Sequence, residues 1–260
     1  MLDRFLRRII PERYRPIGYL TDMVRRGTNS TVRLGPFAGM RYVDHAFGSA
    51  YLPKLLGIYE RELAPVIEFV CSCKPPLIVD IGAAEGYYAV GLALRLPETR
   101  IIAFEREAQG RRALSRMLRL NGICEHVEVL GDCAPWDLEK VLQEGRSSSA
   151  GSPAVVICDT EGDEAFLLDT FQVPMLRDAM ILAETHEFLK PGITQALIKG
   201  FAQTHRIEQI WQSERTIGDF PFNGPRTWLL PGSYIRWAVS EWRPERMCWL
   251  WMQPNNRNAR

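Results

Sequence analysis

The chain predicts one doubly wound α/β domain, a mostly parallel seven-stranded sheet covered by helices on both faces, with a short N-terminal cap. Three observations carry that expectation. Strand-length apolar runs alternate with helix-length amphipathic runs from Leu77 onward, a rhythm that requires crossover connections between parallel strands. The opening strand runs directly into a glycine-rich turn, LIVDIGAAEG at residues 77–86. The composition, with 46% hydrophobic and 24% charged residues over 260 positions, is enough to bury one large core.

In chain order, residues 17–56 carry Gly18, Gly27, Gly35, Pro36, Gly39 and Gly48 between short apolar pieces and read as a β-rich or irregular lead-in. The cap is therefore drawn over residues 1–56 and the main domain over 57–260. From Tyr51 to Cys71 apolar positions recur at helical spacing, and Lys74-Pro75-Pro76 ends the run. Strands are expected at Leu77–Ile81, Arg100–Phe104, Val127–Leu130, Ala154–Cys158 and Ala179–Ala183. The helices between them are expected at Tyr88–Leu96, Gln109–Asn121, Asp137–Glu144 and Glu164–Phe171. A Ser/Gly/Pro cluster at 145–153 reads as an exposed loop. A helix at Ile193–Thr204 and strands at Arg206–Gln212 and Met247–Met252 complete the domain. The stretch Gly218–Tyr234, too long for a tight hairpin, is the kind of insertion that shapes a pocket at a sheet rim. Trp237, Trp242, Trp249 and Trp251 are expected to pack in the core and at its rim.

Lys plus Arg number 32 against 31 for Asp plus Glu, a net charge of +1. Such a balance offers no field for a nucleic acid, so partner choice falls to a local pocket. The six cysteines are scattered and mostly within apolar runs, which argues against zinc and a disulfide framework and for a reducing, cytoplasmic compartment. No segment approaches the ~20 apolar residues that span a bilayer. Met1–Pro16 mixes apolar residues with five arginines and reads as a short amphipathic helix, packed on the domain or frayed, rather than a secretory signal, with contact to a membrane surface or a partner as the alternative.

The glycines of the 77–86 turn let backbone approach a ligand, and the helix that follows offers free N–H groups to an anionic moiety. A nicotinamide-binding loop would have glycine where Ala84 stands, and Asp80 just before the turn would repel a pyrophosphate. An amino-acid moiety with its ammonium group suits that carboxylate. The second strand ends in Phe104-Glu105, where a doubly wound domain places the acid that takes a ribose diol. The ends of the fourth and fifth strands bring Asp159, Glu161, Glu184, His186 and Glu187 to the same edge.

Taken with those residues, Val79-Asp80-Ile81-Gly82-Ala83-Ala84-Glu85-Gly86-Tyr87-Tyr88, Ala103-Phe104-Glu105, Asp159-Thr160-Glu161-Gly162-Asp163-Glu164 and Leu182-Ala183-Glu184-Thr185-His186 resemble class I S-adenosylmethionine-dependent methyltransferases, and within them the FkbM-like family. The resemblance covers residues 77–188. It departs at Ala84, where that family commonly has Asn, and at Thr160, where it has Val or Phe. It implies a Rossmann-like methyltransferase fold, S-adenosylmethionine as cofactor, and O-methylation of a hydroxyl on a small molecule, sugar or glycan. On matching positions, Asp80, Gly82 and Gly86, flanked by Ala83 and Tyr87, would hold the methionine end and Glu105 the ribose. Asp132, after the third strand, would reach the adenine edge.

For oxygen methylation the acceptor hydroxyl must lose a proton, and His186 or a carboxylate, Asp159 or Glu161, would take it. Blander accounts stand beside these. Asp163 and Glu164 fall in the first turn of a helix, where acids suit the dipole without further function, and Thr160 is placed to cap it. His186 reads equally as a satisfied strand-end histidine. Asp159, Glu184 and His186 have the chemistry to bind a divalent metal, but no spacing motif makes them converge, and no metal is expected. Tyr59-Glu60 reads as a lid or, more simply, as exposed surface. The competing functions are a nicotinamide-dependent oxidoreductase and a non-catalytic cofactor-binding module.

Overall fold

A computed structural model describes residues 16–147, 152–222, 224–228 and 230–255. The elements run α1 (Pro16–Thr28), α2 (Tyr51–Leu56), α3 (Ala64–Cys73), β1 (Leu77–Ile81), α4 (Tyr87–Arg95), β2 (Arg100–Phe104), α5 (Ala108–Asn121), β3 (Val127–Leu130), α6 (Pro135–Ser147) and β4 (Val155–Cys158). Then come α7 (Glu164–Leu167), β5 (Met180–Thr185), α8 (Ile193–Phe201), β6 (His205–Trp211), α9 (Pro225–Trp228), α10 (Gly232–Val239) and β7 (Cys248–Pro254). The segment Met1–Arg15, expected as an amphipathic helix, and the centre of the 145–153 loop lie outside the described residues.

The chain forms two compact units. The larger takes in Glu62–Gln212 and the chain from Arg243 on. It contains the expected doubly wound seven-stranded sheet, in the order β3-β2-β1-β4-β5-β7-β6. The first five strands are parallel, and β7 runs antiparallel between β5 and β6. Every residue of β1 and β4 is buried, as strands covered on both faces must be. One core joins Leu77, Val79 and Ile81 of β1 to Ile102 and Phe104 of β2, Val156 of β4, and Leu138 and Leu142 of α6. Trp249 and Trp251 of β7 are buried, as expected.

The smaller unit takes in the chain through Arg61 together with Ser213–Trp242. Leu20 and Val24 of α1 and Leu55 and Leu56 of α2 are fully buried in it. Its polar centre is the Arg215–Glu241 ion pair, nearly inaccessible on both sides. Arg215 Nε donates to the Ile58 carbonyl at 2.8 Å, and the Glu60 amide donates to Glu241 at 2.9 Å. A buried pair survives only when its remaining donors and acceptors are satisfied in this way. Trp237 and Trp242 pack with their ring centres 4.6 Å apart and tilted by 41°, with Trp242 half exposed at the rim.

Four local expectations are corrected. The lead-in is helical at α1 rather than β-rich or irregular, its only ladder among the described residues being the bridge Thr31–Arg41. The helix expected from Tyr51 to Cys71 is broken at Gly57, where φ is +73° and a Cβ would stand 2.0 Å from the Leu34 carbonyl oxygen. Glu60 is buried rather than exposed, and its amide is bonded to the buried Glu241. The helix after β4 stops at Leu167 instead of Phe171.

Candidate functional site

Strand register assembles the site. Ile81 of β1 pairs with Phe104 of β2 and with Cys158 of β4. The next residues, Gly82, Glu105 and Asp159, therefore leave the sheet side by side. This is the point where the order reverses between β1 and β4, and in open α/β sheets ligands bind outside the carboxyl ends of the strands at such a point. Cys158 in turn pairs with Ala183, which brings Glu184 level with Asp159 and carries His186 to the same edge.

The glycine turn is held by backbone geometry that only glycine permits at two places. Gly82 has φ +84°, and a Cβ there would stand 1.7 Å from the Asp159 carbonyl oxygen. Gly86 has φ +93°, and a Cβ would meet Leu114 Cδ1 at 2.2 Å. The amides of Gly82 and Ala83 both donate to the Phe104 carbonyl, at 2.9 and 3.0 Å. Tyr87 opens α4 beneath the turn and is buried, with its ring edge-on to Tyr88 at 5.4 Å.

Asp80 is 3% exposed within an otherwise apolar strand, an expensive place for a carboxylate. Glu105 is also buried. Its Oε2 accepts the Ala84 amide at 2.7 Å and its Oε1 the Glu107 amide at 2.7 Å. A carboxylate has about four lone-pair sites, so two remain for a diol, and Glu105 braces the turn as well as facing the edge. Close packing of Gly110 beneath it, where a Cβ would meet the Glu105 carboxyl carbon at 2.7 Å, fixes that side chain. Asp132 stands exposed after β3. Glu85, given no role in the sequence reading, is fully buried in the turn.

At the ends of β4 and β5 the structure brings together His186, Asp159, Glu161 and Glu184. The imidazole is 1% exposed, and its Nε2 lies 3.5 Å from Asp159 Oδ1, 3.6 Å from Glu161 Oε2 and 3.6 Å from Glu184 Oε2. Its Nδ1 lies 2.7 Å from Glu164 Oε1. Burial pulls the imidazole pKa down, but the Glu164 bond and the charges of Asp159, Glu164 and Glu161 outweigh it, so the net shift is upward.

Glu164 does stand in the first turn of its helix, as expected, but it does more than suit the dipole. Its carboxylate is completely buried. Its Oε1 also accepts the Gly162 amide at 3.0 Å and the Thr160 amide at 3.2 Å. Burial opposes its ionisation, yet the bonds from His186 and Gly162 hold its pKa below the usual carboxylate range. Thr160, expected as a cap, instead gives its amide to Glu164, and Asp163 is the N-cap residue, without a side-chain capping bond. Asp163 faces Lys190 and Arg106, each at 3.7 Å. A second missed residue is Arg243, whose Nη1 binds Glu184 Oε1 at 3.0 Å and Oε2 at 3.2 Å. No local sequence signal joins Arg243 to a strand end 59 positions earlier. Glu187 turns away from the group and accepts the amide and hydroxyl of Thr194, at 3.1 and 2.7 Å, at the start of α8.

The arrangement thus offers two adjoining half-sites on one edge, joined where Gly82 abuts Asp159. One is a glycine turn with two buried carboxylates, suited to a ligand with a cationic head and a diol. The other is an acid-rich cluster around an oriented imidazole, able to hold a proton or a metal ion. No protein-family model matches the chain, and no curated protein matches it. Solved structures similar in fold include a precorrin-6Y C5,15-methyltransferase from Geobacter metallireducens GS-15, at 13% identity and a TM-score of 0.46 over 74% of this chain and 88% of that one. A putative O-methyltransferase from Klebsiella pneumoniae is similar at 13% identity and a TM-score of 0.45, covering 96% and 95% of the two chains. An O-methyltransferase from Bacillus cereus in complex with SAH is similar at 11% identity and a TM-score of 0.44, covering 97% of each.

Proposed function

We propose that this protein is an S-adenosylmethionine-dependent methyltransferase that methylates a hydroxyl on a small molecule, sugar or glycan, a reading in keeping with the FkbM-like resemblance of residues 77–188. The observation that carries it is the convergence of the Gly82–Gly86 turn, Asp80 and Glu105 on the sheet edge beside Asp159 and His186. The donor set fits the cofactor. Asp80 would meet the ammonium of the methionine end, Gly82, Ala83, Gly86 and Tyr87 would line it, and the two lone-pair sites left on Glu105 match a ribose diol. Asp132 would flank the adenine. When bound, that cofactor supplies an electrophilic methyl on a sulfonium, so the chemistry asked of the protein is small.

The remaining work falls to this chain's own residues. The group His186, Asp159 and Glu161 receives the proton that the acceptor hydroxyl gives up, and Glu164 fixes the imidazole's orientation through Nδ1. Asp159 is about a third exposed, at 32%, and Glu161 is 64% exposed, so both are reachable from solvent while the imidazole is not. Alignment of the acceptor against the turn contributes much of the rate. The scattered cysteines, four of them buried and all of them free, accord with a cytoplasmic setting.

Calorimetry with adenosylmethionine, adenosylhomocysteine and NADH tests the reading directly. Binding of the first two and not the third is expected, followed by transfer of labelled methyl to hydroxyl-bearing acceptors. No affinity for either sulfur nucleoside would discard it.

A further inference from the structure

We infer that His186 Nε2, Asp159 and Glu184 form a binding site for a divalent cation of the manganese or zinc type, with Glu164 and Arg243 as the groups that position its ligands. One donor atom from each of the three residues can be chosen so that all lie within 4.8 Å of one another. Glu164 Oε1 already accepts two backbone amides, so it acts as a carboxylate toward Nδ1 at 2.7 Å, and the ring hydrogen sits on Nδ1. In the neutral ring, the form that a cation selects, Nε2 directs its lone pair at the anionic oxygens of Asp159, Glu161 and Glu184.

Those oxygens stand 3.5–3.6 Å from Nε2, beyond the 2.7–3.2 Å of an N–H···O bond. Ligands held at about 2.0–2.2 Å around one tetrahedral ion are separated by roughly 3.3–3.6 Å. The spacing of Nε2 from each oxygen thus matches that of groups sharing a cation, and the three donors lie within the 4.8 Å that a modest closing of the side chains around an ion would span. A carboxylate fixing the far nitrogen of a ligating histidine, and a hydrogen bond to the ligating carboxylate, are the outer-shell features that accompany such sites. Glu164 supplies the first, and Arg243 on Glu184 the second. Nitrogen with carboxylate oxygens favours manganese or zinc over calcium. Four carboxylates, Asp159, Glu161, Glu164 and Glu184, crowd one imidazole, and a dication offsets much of that charge.

Binding does not depend on methyl transfer, but a part for the cation in activating an acceptor oxygen rests on that reading. In that case His186 is a ligand, and the proton passes to Glu161, which lies outside the ligand set.

The test is manganese titration of the full chain after stripping with chelator, followed by loss of the free-ion electron paramagnetic resonance signal. One ion per chain is expected, with pulsed spectra showing nitrogen modulation from a directly bound imidazole. Asp159→Asn and His186→Gln should each weaken uptake by more than about tenfold, and Glu164→Gln by about 10–100-fold, with circular dichroism establishing that each variant folds. Absence of saturable uptake at millimolar manganese, or uptake without nitrogen modulation in the unmodified chain, overturns the site. Affinity unchanged in both ligand variants does so as well. Calorimetry of adenosylhomocysteine on the stripped protein separates the two ideas. Nucleoside binding without manganese uptake removes the cation alone, and manganese uptake without nucleoside binding removes the methyl-transfer reading and leaves the cation.

Discussion

Glu105 carries two burdens at once, and its replacement separates them. It accepts the Ala84 and Glu107 amides, and under the proposed function it also takes the ribose. Glu105→Ala should weaken adenosylhomocysteine binding by on the order of 1–3 kcal/mol by calorimetry. It should also lower the thermal midpoint, because two partly buried amides lose their acceptor. A lowered midpoint with unchanged affinity would leave Glu105 as a brace only. Gly82 and Gly131 form a sharper contrast. A methyl on Gly82 meets a backbone oxygen that cannot rotate away, and the positive φ adds strain, so Gly82→Ala should cost on the order of 3 kcal/mol or more in denaturant unfolding. Gly131 has open space around its added Cβ, and Gly131→Ala should lie within about 0.5 kcal/mol of the unmodified chain. For His186→Ala, turnover should fall by roughly 10²–10⁴ while nucleoside affinity holds, whether the ring receives the proton itself or orders the groups that do. An equal loss in both measurements would make the ring structural.

Elements set the local energetics through their ends. Strand β6 opens on His205, which is buried and donates from Nε2 to the Ala179 carbonyl at 2.9 Å. Burial lowers its pKa, only partly opposed by that bond. A histidine with a depressed folded pKa binds fewer protons folded than unfolded, so its contribution to stability is full above the unfolded value near 6.5. It is lost as the pH falls from there through the lower folded value. Urea midpoints measured from pH 7 to 5 should therefore decline less in His205→Gln than in the unmodified chain, and equal declines would refute the assignment. Helix α8 starts on Gly192 rather than on a capping side chain, and Glu187 supplies the missing acceptor by bonding the Thr194 amide. Glu187→Ala should cost about 0.5–2 kcal/mol, the usual worth of an N-terminal cap, without loss of nucleoside affinity.

At the scale of the whole molecule, a ligand bound only by the folded chain raises its stability. Adenosylhomocysteine at a hundred times its dissociation constant should add about 2.7 kcal/mol, read as a rise in thermal midpoint that grows with concentration. The sheet and the first half-site were legible in the sequence. A parallel strand buried on both faces must be a largely apolar run, as Val155–Cys158 is throughout and Leu77–Ile81 is apart from Asp80, and a turn that needs left-handed backbone shows itself as glycine at 82 and 86. Such features depend on residues within a few positions of one another. Glu164 illustrates the opposite case, since at the start of a helix an acid has a sufficient local reason to be there. Only the pairing of β4 with β5 reveals that its carboxylate is buried against His186, 22 residues later in the chain. Arg243 on Glu184 and Glu241 under the Glu60 amide are likewise contacts across long stretches of chain. Periodicity and turn chemistry thus determined the alternation of elements, the glycine turn and the acid at the end of β2. Which carboxylates surround the imidazole, and which of its nitrogens faces them, was decided by tertiary structure, because charge burial and tautomer depend on neighbours that strand register supplies rather than on neighbours in the chain.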